Sequence, residues 1–252
     1  MHDHLYIITG ASRGLGRAIA TQLASPGHRL VCLARHNPSE FMAEAAARGA
    51  KAEQWNVDLA EPGAVATAVG RWLAACDPAE VASATLINNA AALTRVGPID
   101  AVDDGEIANS MRVGLEAPVL LTAAFLRATR DWKVPRRVLN ISSGLGRRAM
   151  AGASAYCAVK SGLDHFSRAV ALDEAQREHG ARIVALAPGV IDTDMQVQLR
   201  SAEPEGFPER STFVGLKQNG QLTSAEDAAA RVIAYLRRPD FGAQPVADVR
   251  DA

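Results

Sequence analysis

Aromatic side chains are scarce in this chain of 252 residues, at 5%. A core must therefore come mainly from Ala, Val, Leu and Ile, and the 48% hydrophobic content is enough to fill one. Cysteine is also sparse: Cys32, Cys76 and Cys157 are scattered and form no CxxC pair. An odd, dispersed set argues against a disulfide framework and for a reducing compartment. Charge of one sign is not in excess. The 27 basic and 28 acidic side chains leave a net charge of -1, which argues against non-specific nucleic-acid or membrane binding. No apolar run approaches membrane-spanning length. The opening MHDHLYIITG passes at once into a strand-like run, so no signal peptide is expected. His2, His4, His28, His36, His165 and His179 show no ligand spacing on a common helix face, so no metal site is expected. These absences together lead to the expectation of a soluble cytoplasmic protein.

What is present is an alternation of short aliphatic runs with longer amphipathic stretches. Leu5–Thr9, Leu30–Ala34, Glu53–Val57, Thr85–Asn88, Arg137–Ile141 and Ile183–Ala187 lack polar alternation, as strands covered on both faces do. Helices are expected from Gly14 up to Gly27, and over Gly63–Ala75, Asp103–Val113, Ala117–Trp132, Ala155–His179 and Ala225–Arg237. Ser224 and Asp227 resemble a capping box. Trp55, Trp72 and Trp132 read as core or helix-face anchors. Repeated strand–helix units predict one α/β domain over 1–252, a three-layer α/β/α Rossmann fold with a parallel sheet of about seven strands. The stretch 192–222, broken by Pro204, Gly206, Pro208, Gly215 and Gly220, is too long for an ordinary connection and reads as a substrate loop or lid.

Between the first strand and the first helix lies TGASRGLG, Thr9–Gly16. Gly10 suits a turn, Gly14 allows a diphosphate to approach the backbone, and Gly16 allows close helix packing. The free N–H groups and dipole at the helix start favour negative charge. A site preferring NAD places an acid about 20 residues further on, for the ribose 2′-hydroxyl. No acidic residue occurs from Gly10 to Ser39. Arg13 and Arg35 stand there instead, and guanidinium suits a 2′-phosphate. The expected cofactor is NADP(H).

Tyr156 and Lys160 are four apart near the start of a helical stretch, hence on one face. Ser143 follows the strand Arg137–Ile141, at the end that faces a cofactor crevice. Hydride reduction of a carbonyl creates an alkoxide, which needs a proton donor and a hydrogen bond. An ammonium about 5 Å from the phenol favours the phenolate by ~3 kcal/mol at an effective dielectric of 20, so Lys160 is expected to lower the Tyr156 pKa.

TGASRGLG, VDL (Val57–Leu59), NNAA (Asn88–Ala91), NISSG (Asn140–Gly144), YCAVK (Tyr156–Lys160) and APGVIDTDM (Ala187–Met195) stand in the order of the short-chain dehydrogenase/reductase motifs. The chain resembles that family over most of its length. The resemblance implies that Ser143 holds the substrate oxygen, that Tyr156 is the acid–base, and that Lys160 binds the ribose hydroxyls and tunes Tyr156. It places Asp58 at the adenine, Asn88 and Ala90 along the cofactor and Thr193 near the carboxamide, with Ser12, Leu15, Leu59 and Val190 also in the cofactor site. Within the family the chain is most similar to sepiapterin and benzil reductase-like enzymes, through SRGLGR, ALDE (Ala171–Glu174), PGVIDTDMQ and VADVRD (Val246–Asp251). This likeness implies an aromatic α-dicarbonyl or pteridine side-chain ketone as substrate, with Asp248 as pterin anchor.

One departure is Gly114, where the family usually has an Asn that supports a water behind the lysine. The backbone carbonyl remains available. Two alternatives to a reductase stay open: an NADP-dependent alcohol dehydrogenase, and a non-catalytic NADPH-binding regulator of the same fold. Ala158, Ser161, Gly162 and Ala169 suit close helix approach in a homodimer or homotetramer, or tight packing within one subunit.

Overall fold

The computed structural model describes residues 2–251. Among them, seven strands form one parallel sheet: β1 (Asp3–Thr9), β2 (His28–Ala34), β3 (Lys51–Asn56), β4 (Val81–Asn88), β5 (Arg136–Ile141), β6 (Arg182–Ala187) and β7 (Val246–Asp248). The spatial order is β3-β2-β1-β4-β5-β6-β7. Chain order reverses between β1 and β4, and open parallel sheets leave a crevice at such a switch point. The carboxyl ends are aligned by register, with Thr9 beside Leu33, Asn88 beside Asn140, Ile141 beside Leu186 and Ala187 beside Asp248.

The helices are α1 (Gly14–Leu23), α2 (Glu40–Ala47), α3 (Pro62–Ala74), α4 (Asp104–Met111), α5 (Ala117–Ala128), α6 (Ser154–Ala175), α7 (Asp194–Arg200), α8 (Arg210–Gln218) and α9 (Ala225–Leu236). Successive strand residues point to opposite faces, so Ile7 and Ile8 enter different cores. Ile8 packs with Ile19 of α1 and Val232 of α9. Ile7 packs with Val69 of α3 and Leu121 and Phe125 of α5. This is the expected three-layer α/β/α domain. No helix among the described residues is long and apolar enough to cross a membrane.

The structure revises several boundaries. α1 stops at Leu23, and Gly27 instead takes φ +75° in the turn that follows Pro26. Helix α2 is an addition, built by Phe41 and Ala45 facing inward one turn apart. The stretches 103–113 and 117–132 join through a π-turn, Arg112–Glu116, and α5 ends early, at Ala128. Beyond it Trp132 is buried, while Trp55 and Trp72 meet edge to face at 6.0 Å. The 192–222 stretch contains α7 and α8 with a 3-10 turn, Pro204–Gly206, between them. Ser224 does cap α9, accepting from the Asp227 N–H at 3.0 Å. Gly162 packs within the chain, where a Cβ would lie 3.1 Å from Leu115. Ala158, Ser161 and Ala169 are exposed.

Candidate active site

The glycine-rich turn leaves β1 with Gly10 at φ +67° and Gly14 at φ +54°, conformations that favour glycine. A Cβ at Gly10 would lie 3.0 Å from the Ala90 Cα, and one at Gly16 would run into the Gly10 carbonyl. The turn is pinned from the β4 side. Asn89 donates from Nδ2 to the Thr9 carbonyl at 2.9 Å, and the Thr9 hydroxyl accepts from the Asn89 and Ala90 N–H groups at 2.9 and 3.0 Å. α1 then begins with no side-chain cap and no acid in its first turn. Its N–H groups are thus open to an anion, and Gly14 is exposed. This backbone cradle fits a dinucleotide diphosphate.

Around it, Ser12 is half-buried, and Leu15 and Leu59 are buried. Thr193 and Val190 are half-buried, the Thr193 methyl 3.6 Å from where a Gly14 Cβ would stand. Arg13 is exposed and ion-paired with Asp194 at the start of α7. Arg35 is exposed just past β2. Asp58 is exposed and accepts from the Ala60 N–H at 2.9 Å in a local turn.

The Asn88 side chain lies inside the domain, 2% exposed, and donates to the Asn140 side-chain oxygen at 2.8 Å. Asn140 donates in turn to Ser167 of α6 at 2.8 Å. Strand alternation turns Asn88 toward Thr122 of α5 and leaves Asn89 against the turn. The Asn88 side chain therefore ties β4 to β5. In NNAA only the pleat separates the two roles.

At the end of β5, Ser143 is half-buried and caps a short 3-10 turn, Gly144–Gly146, accepting from the Leu145 N–H at 3.2 Å. Tyr156 sits in the first turn of α6, and Ser143 is the side chain that favours its ionised hydroxyl. Lys160, one turn on and 2% exposed, donates to the Ile141 carbonyl at 2.7 Å, its Nζ 5.5 Å from the Tyr156 ring centre. Burial pushes the phenol up to about 12, opposed by the Ser143 hydrogen bond. Burial also pushes the Lys160 ammonium down to about 8, opposed by Asp164. The direction is opposite to the expected lowering by Lys160: desolvation is the largest cause, and the Ser143 hydroxyl offsets only part of it. Near neutral pH the site offers a protonated phenol.

Tyr156 belongs to an apolar cluster with Met150, Leu199 and Phe207, against which Met195 and Phe213 pack. Phe207 stacks on Phe213 at 5.5 Å. The 192–222 stretch thus covers the phenol from one side. It is fastened by Lys217 to Asp192 at 2.5 Å and by Arg148 to Glu209 at 3.2 Å.

Asp248 ends β7 at the same edge of the sheet. It is 6% exposed, and both of its carboxylate oxygens accept from Arg250, at 2.8 and 2.6 Å. Gly114 is buried in the π-turn, and a Cβ there would lie 2.6 Å from Val159 Cγ1. Val159 thus fills the space beside position 114, and glycine is its packing partner. Among the described residues no group of three or more His, Cys, Asp or Glu is placed to hold a metal ion.

The fold and this crevice define a parallel α/β protein with a dinucleotide-type cradle beside a Ser–Tyr–Lys cluster. A profile described as short chain dehydrogenase matches residues 4–204, and the chain belongs to that family of oxidoreductases. It is 35% identical to a benzil reductase ((S)-benzoin forming) of Bacillus cereus over 235 residues, 93% of this chain and 94% of that protein. It is 32% identical to the sepiapterin reductase of Mus musculus over 249 residues, 93% of this chain and 92% of that protein. A solved structure of a putative 2-deoxy-d-gluconate 3-dehydrogenase from Agrobacterium tumefaciens with bound NADP superposes with TM-score 0.79 at 26% identity, covering 99% and 95% of the two chains.

Proposed function

We propose that the chain is an NADPH-dependent carbonyl reductase acting on a ketone or α-dicarbonyl with aromatic or pteridine-like flanks. The observation that carries this reading is the meeting of Ser143, Tyr156 and Lys160 beside the glycine-rich turn, under an apolar cover. The names of the benzil and sepiapterin reductase relatives support the substrate class. Gly10, Gly14, Gly16 and the open start of α1 would hold the diphosphate, while Arg13 and Arg35 meet a 2′-phosphate. Leu59, Ala90, Val190 and Thr193 line the rest of the path. A bound nicotinamide nucleotide supplies the hydride.

The chain's own residues then handle oxygen and proton. Ser143 donates a hydrogen bond to the carbonyl oxygen and stabilises the charge developing there. Tyr156, protonated in this environment, gives its proton to the nascent alkoxide. Lys160 limits the charge left on the phenolate and offers its remaining donors to the ribose hydroxyls. The 192–222 cover excludes water and presents Phe213, backed by the buried Phe207, to an aryl group. The same groups run backwards oxidise the alcohol, so direction follows the nucleotide ratio. The exposed edge of α6 suits assembly as a homodimer or homotetramer.

The testing experiment is a panel of aromatic α-diketones and pteridine ketones, followed by NADPH absorbance. A second arm follows limited proteolysis within 192–222. NADPH and a turned-over ketone together should slow cleavage there, and unchanged cleavage at saturation would remove the lid from the account.

A further inference from the structure

α6 presents Tyr156, Lys160 and Asp164 at four-residue spacing, hence on one face. Asp164 is 1% exposed, a depth at which a carboxylate persists only with partners. The Ser142 hydroxyl donates to its Oδ1. Arg147 Nε lies 3.5 Å from its Oδ2, yet Oδ2 accepts no hydrogen bond. Burial pushes the Asp164 carboxyl up, and Ser142, Arg147, Arg168 and Lys160 oppose that rise, so its charged form depends on these partners. Lys160 has no carboxylate within ion-pair distance among the described residues, and Asp164 is the acid that acts on it.

The same carboxylate supports the other half of the site. Ser142, which it holds, directly precedes Ser143. A Cβ at Gly146 would lie 2.7 Å from Asp164 Oδ2 and 2.9 Å from the Lys160 carbonyl. The turn that carries Ser143 therefore rests on α6 at Asp164, and it does so only because Gly146 has no side chain.

We propose that Asp164 is a positioning residue for the reaction, keeping Lys160 in its charged form and fixing the Ser143 turn against α6. This rests on the reading of Ser143 and Lys160 given above. The groups facing Asp164 are Ser142 at the end of β5, Arg147 on the following turn, and Lys160 and Arg168 on its own helix. Those facing Lys160 are Asp164, the Tyr156 ring and the Ile141 carbonyl.

The test is the pH profile of kcat/KM on an aromatic α-diketone with saturating NADPH, beside thermal unfolding of each variant. The alkaline limb of the unmutated protein should fall near the Lys160 value of about 8, well below the Tyr156 value of about 12. Asp164→Asn should move that limb down by about one pH unit or more, the scale of losing an opposite charge nearby. Arg147→Gln should move it up, because a competing cation is lost. Ser142→Ala keeps the carboxylate and should lower Tm while leaving the limb in place.

A limb that stays fixed in both charge variants while Tm falls would reduce Asp164 to packing and overturn the proposal. If Asp164→Asn does not fold, the direction of the Arg147→Gln shift decides. The Lys160 Nζ signal in nitrogen-15 NMR reads the same titration without turnover. A silent enzyme whose Lys160 still shifts in Asp164→Asn would defeat the reductase reading and leave the electrostatic link standing. An unshifted signal would defeat the link.

Discussion

Two sets of charges serve one crevice, and they differ in how much water reaches them. At the mouth, the Arg13 and Asp194 side chains are 73% and 72% exposed, and Arg35 is exposed as well. Under Ser143, Lys160 and Asp164 are 2% and 1% exposed. Exposed pairs contribute about 0–1 kcal/mol and exchange partners readily. Buried charges are held by fixed geometry, and changing one alters both stability and the titration of its neighbours. The mouth is thus suited to capture an anion and release it. The interior is suited to hold a proton donor in one state.

Removing a charge from each set sharpens this contrast. Lys160→Met should show the largest effect, a fall in turnover of at least ~100-fold, the scale of disabling acid–base chemistry. It should also raise stability by ~1 kcal/mol in chemical denaturation, since the desolvation that lowers the Lys160 pKa outweighs its attraction to Asp164. The sign follows from the lowered pKa. Between about 8 and the ordinary 10.5 the unfolded chain binds the extra proton, so this group makes the protein more stable as pH rises through that window. In Lys160→Met that rise should vanish. A variant less stable than the parent at neutral pH would contradict the burial argument.

The next effect lies in packing behind the site. Gly114→Asn drives a side chain into Val159 and should destabilise by ~1–3 kcal/mol. Adding Val159→Ala should restore most of that loss, which a double-mutant cycle on Tm would measure. Additivity of the two changes would show that they do not share the space.

At the mouth the effects are smaller. Arg35→Asp should narrow a preference for NADPH over NADH that is at least about tenfold in the unmutated protein, or ~1.4 kcal/mol. Asp194→Asn frees Arg13 and should tighten NADPH by a few-fold at most, more at low salt than at high salt. Calorimetric titration of both nucleotides separates these outcomes. Equal affinities in the unmutated protein would remove the 2′-phosphate argument.

The sequence made the layered fold legible because β1, β2, β4 and β6 are aliphatic enough to betray burial on both faces. The glycine turn and the Ser143, Tyr156 and Lys160 cluster were legible because their chemistry demands particular residue types at particular spacings. Other features depend on partners far away in the chain. Asn88 and Asn89 are identical in type, and only the strand pleat assigns one to the core and the other to the turn. Gly114 reads as a lost asparagine until Val159 is seen against it. Asp164 follows Lys160 at helical spacing, a visible signal, but Ser142, Arg147 and Gly146 give it meaning only once β5 has been folded onto α6. The helices α7 and α8 were hidden by the prolines and glycines around them. The engagement of Asp248 by Arg250 is local and two residues away, yet it shows only when both side chains are placed.

The central claim is that a buried, protonated Tyr156 delivers a proton to a carbonyl oxygen held by Ser143. Its most direct test is NADPH consumption on an aromatic α-diketone by the unmutated protein and by Tyr156→Phe, with NADPH affinity measured for both. The change keeps the ring within the Met150, Leu199 and Phe207 cluster and removes the hydroxyl alone. The account predicts turnover by the unmutated protein, a loss of at least ~100-fold in the variant, and little change in NADPH affinity. Equal rates in the two proteins, or tight NADPH binding with no turnover of any carbonyl by either, would contradict it.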